Sequence, residues 1–316
     1  MLQALTVAAA VALTAAASAG AGGSATAFVA LPGRDRVVAL DVGTGAQLRR
    51  ISVAGGPERV AAYHDASRRR DFVLVTSAGG GSVTLIAAFT QRIVRVWRGF
   101  GRPADVVVDA LRAYVVDRDR GALVVIDLRA RRILARIAVG ARPSAVAVGD
   151  LAVVAHAGRA SLTLVDPARS RVVGSLPVHR PVASLSKQPD TANVYVAFEG
   201  TGELALIDWG RRRTVFRRSI GERLAQVRVD SFHGRRVWAT DFARGGVVLA
   251  STQDGRVLRR LGGCPGASGI AQVGTASVVA TCAGARSLAV WDATRWRLRR
   301  FGVGGRPAGV AVAVLP

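Results

Sequence analysis

An apolar run closed by aspartate recurs at Asp41, Asp127, Asp166, Asp208 and Asp292, and Ala87 and Ser251 fill the two gaps in the series. The successive steps are 46, 40, 39, 42, 43 and 41 residues. A second marker, the proline that opens the next apolar run, stands at Pro57, Pro103, Pro143, Pro181, Pro265 and Pro307, with Leu224 in the remaining slot. Two markers sharing one period define seven copies of one unit. No copy has enough apolar surface to form a core alone, so each must stack on its neighbours. The one long step contains "AAYHDASRRRDF", residues 61–72, which reads as an enlarged turn.

Each unit holds four strand-length apolar runs. In the third they are "RAYVVD", "ALVVID", "RILARIAV" and "PSAVAV", separated by the turn-formers "RDRG", "LRAR", "GARP" and "VGD". Valine, alanine and 36 glycines dominate, and helical spacing is not sustained after the leader. Four strands every 40 or so residues, seven times, predict an all-β, seven-bladed β-propeller of four-stranded blades over residues 26–316. A β-solenoid is the alternative, but its coils are shorter and its ends need caps. The ends of the chain favour a ring. "AFVAL" matches a second strand and "PAGVAVAVLP" a first strand, so the C-terminal strand is expected to complete the N-terminal blade. Such closure removes sheet edges that an open array would expose.

The runs "RAYVVDRDRGALVVIDLRARRILARIAVGARPSAVAV" and "NVYVAFEGTGELALIDWGRRRTV" resemble the YVTN-type β-propeller repeat over about residues 26–314. Units three, five and seven match well, units two and six poorly, and the usual Ser-Pro-Asp-Gly turn is absent. The resemblance implies a seven-bladed and usually exported propeller. It implies little about activity, because propellers of this kind include binding proteins, surface proteins and a few enzyme-like relatives.

The first 33 residues carry no charged side chain. The run "LTVAAAVALTAAASA" with Ala17-Ser18-Ala19 reads as a signal peptide within residues 1–25, lacking only the usual basic start. Export to the cell envelope, periplasm or medium is therefore expected, with no transmembrane span in the mature chain. Cys264 and Cys282 are the two cysteines. Placed at the same end of neighbouring strands of the seventh unit, they are expected to form a disulfide.

The net charge is +23, and Lys187 is the sole lysine, so 43 of the 44 basic side chains are arginine. Let the strands of a blade be A to D from axis to rim, with A starting at the repeated proline. The loops D-to-A and B-to-C then share one face, here the top. The C-strand aspartates lie at bottom turns, where a carboxylate accepts main-chain N–H groups. The rim carries Arg131, Arg132, Arg136, Arg211, Arg212, Arg213, Arg217, Arg218, Arg256, Arg259, Arg260, Arg297, Arg299 and Arg300, a charge pattern that discourages edge-to-edge pairing.

On the top, arginine precedes the repeated proline slot in five of seven units, at Arg102, Arg142, Arg180, Arg223 and Arg306, where chance at this arginine content supplies about one. The B-to-C loops add Arg118 and Arg286, together with Arg34, Arg36, Arg120, Arg159 and Arg244. Guanidinium forks suit carboxylate, phosphate and sulfate. The expected function is a non-catalytic, monomeric binding or scaffold module that contacts an anionic polymer, an anionic surface or an acidic protein through this basic surface. Nucleic acid fits poorly, since aromatics are only 5% of the chain and no nucleic-acid motif occurs. The alternative is a lactonase-like hydrolase or lyase at the axial channel. It would need acids or histidines there, and His156 and His179 with Glu199 or Asp241 are the available candidates. Among the other histidines, His64 and His233 fall near bottom turns. No metal-ligand spacing, phosphate-cradling loop or nucleophile elbow occurs, so no catalytic residue, metal or cofactor is assigned.

Overall fold

A computed structural model describes residues 25–230, 235–275, 277–292 and 294–314. The expected leader up to residue 24, and His233, lie outside these residues. Seven four-stranded antiparallel sheets form the blades. The inner A strands are Val310–Val314, Pro57–Asp65, Pro103–Asp109, Pro143–Val148, Val182–Lys187, Leu224–Val229 and Ala267–Val273, in blades one to seven. Each contacts the A strand on either side, so they close a ring around an axis.

Closure is made by the chain ends. Strand Val310–Val314 pairs antiparallel with Ala25–Leu31, in the register Val29↔Val310 to Ala25↔Val314. The first blade is thus completed by the last strand. An open stack is ruled out by this pairing and by the packing of Val310 with Ala271 and Val279 of the seventh blade.

An apolar cluster fills each gap between neighbouring blades. Both faces of a blade are therefore covered. This is why the B and C strands read as unbroken apolar runs, such as Val37–Leu40 and Leu123–Ile126, rather than alternating ones. Only the rim strands alternate, as in Arg132–Ala138, because one of their faces meets water.

The C-to-D turns share one geometry. The main-chain N–H of the third residue on, or a near neighbour, donates to the carboxylate, as in Thr44→Asp41 (2.6 Å), Ala130→Asp127 (2.7 Å), Arg169→Asp166 (2.9 Å), Arg211→Asp208 (2.9 Å) and Arg295→Asp292 (3.1 Å). Ser251 does the same with its hydroxyl, accepting from Gln253 N–H. Four residues after each marker the chain turns left-handed, at Gly45, Gln91, Arg131, Ser170, Arg212, Gly255 and Trp296. Five of these carry a side chain at positive φ, a cost that the aspartate turn offsets at Arg131, Ser170, Arg212 and Trp296.

The inner strands face a different problem. One edge pairs with strand B, while the other looks toward the axis with its N–H groups unpaired. Polar side chains of the preceding blade satisfy many of them. Val146 N–H donates to Asp105 Oδ2 (3.1 Å), Val227 N–H to Ser184 Oγ (3.2 Å), Val229 N–H to Ser186 Oγ (2.9 Å) and Ile270 N–H to Gln226 Oε1 (2.9 Å). Where glycine takes the Asp105 position the blades close in directly. A Cβ on Gly309 would stand 2.4 Å from the Glu58 carbonyl oxygen, and one on Gly269 2.7 Å from that of Ala308.

Deleting residues 309–316 is expected to remove the inner strand of the first blade, expose the face around Phe28 and abolish a single cooperative thermal transition, as followed by circular dichroism. Acidification gives a second test. Hydrogen bonds from the Thr294 hydroxyl and from the Arg295 and Thr294 N–H groups hold Asp292 at about 2. The Arg169 side chain and N–H lower Asp166, and the Arg211 N–H lowers Asp208. Carboxyl groups lowered on folding stabilise above their unfolded pKa and lose that contribution as pH falls through the folded value. The melting temperature is expected to be level above about pH 5 and to fall between about pH 4 and about pH 2. The triple variant Asp166→Asn, Asp208→Asn, Asp292→Asn should show a shallower fall.

Candidate functional site at the top mouth of the ring

The last residue of each B strand reaches the top next to the loop that leads into strand A of its own blade. In several blades it anchors that loop, by different chemistry each time. Buried Asp117 accepts the N–H groups of Gly101 (2.9 Å) and Arg102 (3.0 Å). Buried Asp241 accepts those of Glu222 (3.0 Å) and Arg223 (3.2 Å). His156 meets the Ala141 carbonyl through Nδ1 (3.0 Å) and Thr163 Oγ1 through Nε2 (2.8 Å). Phe198 packs edge-on against His179, with ring centroids 4.2 Å apart. Cys282 is bonded to Cys264, with Cα atoms 4.8 Å apart and a sequence separation of 18.

These anchors fix the main chain at or beside Arg102, Arg142 and Arg223, not their side chains. Arg102, Arg142, Arg223 and Arg306 directly precede inner strands or their lead-in and are exposed. The register of the sheets corrects the alignment made on proline. Val182, not Pro181, opens strand A of the fifth blade, and Ala267, not Pro265, that of the seventh. The carbonyls of Arg102, Arg142, Pro181, Arg223 and Gly266 accept equivalent B-to-C loop N–H groups. Pro181 therefore holds the slot itself and Arg180 stands one residue upstream. Cys264 likewise lies in the loop, three residues before its strand.

Arg180 also has a carboxylate neighbour. Its Nε is 3.7 Å from Glu203, which receives His179 Nε2 at 3.0 Å and Arg217 Nε at 3.4 Å as well. Arg244 pairs with Glu222 at 2.9 Å. Arg223 lies over the Phe242 ring at 4.3 Å. Among the described residues Arg102, Arg118, Arg142, Arg223, Arg286 and Arg306 have no carboxylate within 4.0 Å. Arg118 is half-buried and Arg286, at positive φ, lies on the B-to-C loop of the seventh blade, farther from the axis. The structure thus gathers four of the predicted arginines at the mouth and sets Arg118, Arg180 and Arg286 around them.

The histidines go elsewhere. Both ring nitrogens of His156 are engaged, and burial lowers its pKa. His179 meets Glu203 rather than Glu199 or Asp241, and Asp241 is committed to main-chain N–H groups. No group of three metal-ligating side chains occurs among the described residues, and none of their helices is long and apolar enough to cross a membrane.

No family model matches the chain, and no curated protein matches it. Solved structures do. A functionally unknown protein from Desulfotomaculum acetoxidans superposes with a TM-score of 0.76 at 14% identity, over 92% of this chain and 98% of that one. Apo AztD from Citrobacter koseri gives 0.68 at 14% identity, over 93% and 99%. The hydrazine synthase of Kuenenia stuttgartiensis gives 0.68 at 19% identity, over 81% and 89%. At these identities the likeness shows the fold, and the chain is a seven-bladed β-propeller.

The Cys264–Cys282 bridge closes a short loop, so replacing both cysteines with serine is expected to cost about 3 kcal/mol. Urea unfolding of the oxidised protein against the double variant measures it. Equal midpoints would show that the bond adds nothing.

Proposed function

We propose that the protein is an exported binding module whose top mouth engages an anionic partner, a polymer, surface or acidic protein rich in carboxylate, phosphate or sulfate. One observation carries the reading: Arg102, Arg142, Arg223 and Arg306 are exposed at the top ends of inner strands of one ring and, among the described residues, have no carboxylate within 4.0 Å. Like charges held on anchored loops repel one another, and an anion relieves that repulsion. Planar forks add directional hydrogen bonds. The disulfide supports export, since such bonds persist in oxidising compartments. The repeats, with their Val-Tyr-Val and Val-Val-Ile-Asp strands, are read as a divergent YVTN type.

The test compares two variants of equal charge. One changes Arg102, Arg142, Arg223 and Arg306 to glutamine. The other changes the rim residues Arg136, Arg217, Arg259 and Arg299. On a sulfated matrix the mouth variant is expected to elute at clearly lower salt than the rim variant, with both folded by circular dichroism. Equal shifts would assign retention to net charge and remove the site.

A further inference from the structure

Below the mouth, the inner strands enclose an axial cavity of about 230 Å³. Its lining includes Arg59, Asp105, Ser184, Ser186, Gln226 and Arg228. Arg59 comes from the second blade and Arg228 from the sixth, nearly across the ring. Water reaches both guanidiniums, but protein surrounds them. Among the described residues neither side chain donates a hydrogen bond or has a carboxylate within 4.0 Å, although both feel the charge of Asp105 at longer range.

The other polar groups each commit an oxygen to the backbone. Ser184 Oγ and Ser186 Oγ accept the N–H groups of Val227 and Val229. Gln226 Oε1 accepts that of Ile270. Their two hydroxyl hydrogens and the amide NH₂ remain as donors. Asp105 is the local carboxylate, yet its oxygens take the N–H groups of Val106 and Val146, and burial raises its pKa. Counting the whole lining, Arg59, Lys187 and Arg228 against Asp105 and Asp109 leave the cavity positive. At the lower end Lys187 donates to the Gln188 carbonyl and lies near Asp150, Asp190 and Asp109.

We infer that the axial cavity is a receptor for one small oxyanion, such as phosphate, sulfate or a short dicarboxylate, held between Arg59 and Arg228 with Ser184, Ser186 and Gln226 as further donors. The volume suits an ion of a few heavy atoms with some of its water. Two guanidiniums facing one lumen repel each other, and a bound oxyanion relieves that repulsion and adds directional acceptors. This site is separate from the mouth and stands whether or not the mouth binds a larger partner.

The experiment is calorimetric titration of the full folded protein with sodium phosphate, sulfate and succinate, each against chloride at matched ionic strength. At least one is expected to bind saturably at one site per chain and to raise the melting temperature. The double variant Arg59→Gln, Arg228→Gln should lose at least about tenfold in affinity. Its melting temperature in chloride should not fall, because a repulsion has been removed. Arg228→Lys, which keeps the charge without the fork, should bind more weakly than wild type and covers the case of a double variant that fails to fold. The mouth variant should keep its affinity. Absence of saturable binding by wild type, full affinity in the double variant or in Arg228→Lys, or loss confined to the mouth variant would each overturn the assignment.

Discussion

Every blade presents a raw sheet edge to the axis, and the structure depends on how those edges are satisfied. A free β edge carries unpaired N–H groups that, enclosed in a ring, have limited water to meet. Here several are met from the neighbouring blade. Asp105, Ser184, Ser186 and Gln226 reach across and accept, linking one inner strand to the next. Threonines on B strands do a similar task within a blade, as Thr76 does for Arg59 N–H and Thr281 for Gly269 N–H. The belt holds the blades at one spacing, and the apolar clusters fill the gaps that this spacing leaves.

The same arrangement decides the character of the axis. Ser184, Ser186 and Gln226 turn an oxygen to a backbone N–H and keep their hydroxyl and amide hydrogens for the lumen. Structural satisfaction thereby leaves a donor-rich channel. The polar residues of the inner strands have a structural task first, and the chemistry they present inward follows from it.

At the top, one slot solves one problem in several ways. The end of strand B must hold the loop before strand A, and Asp117, Asp241, His156, Phe198 and Cys282 do so by carboxylate, imidazole, ring packing and covalent bond. Sequence inspection treated His156 as a candidate acid–base group and Cys282 as a separate matter. In the fold they are equivalents. No shared residue type marks the slot, so only the register reveals it. Reading the loops by proline alone also placed Arg180 and Cys264 in positions that the hydrogen bonds give to Pro181 and Gly266.

Period and pattern were enough for the number of blades, the four strands in each, the matching of the two chain ends and the turn role of the C-strand aspartates. Those features repeat locally, and a feature repeated seven times is written in spacing. Which arginines stay unpaired, and that Arg59, Asp105 and Arg228 share one cavity, became visible only in three dimensions. They lie 46 or more residues apart, in blades that do not repeat one another at those positions. Closing the ring brings them together, because it points one edge of every inner strand at the same axis.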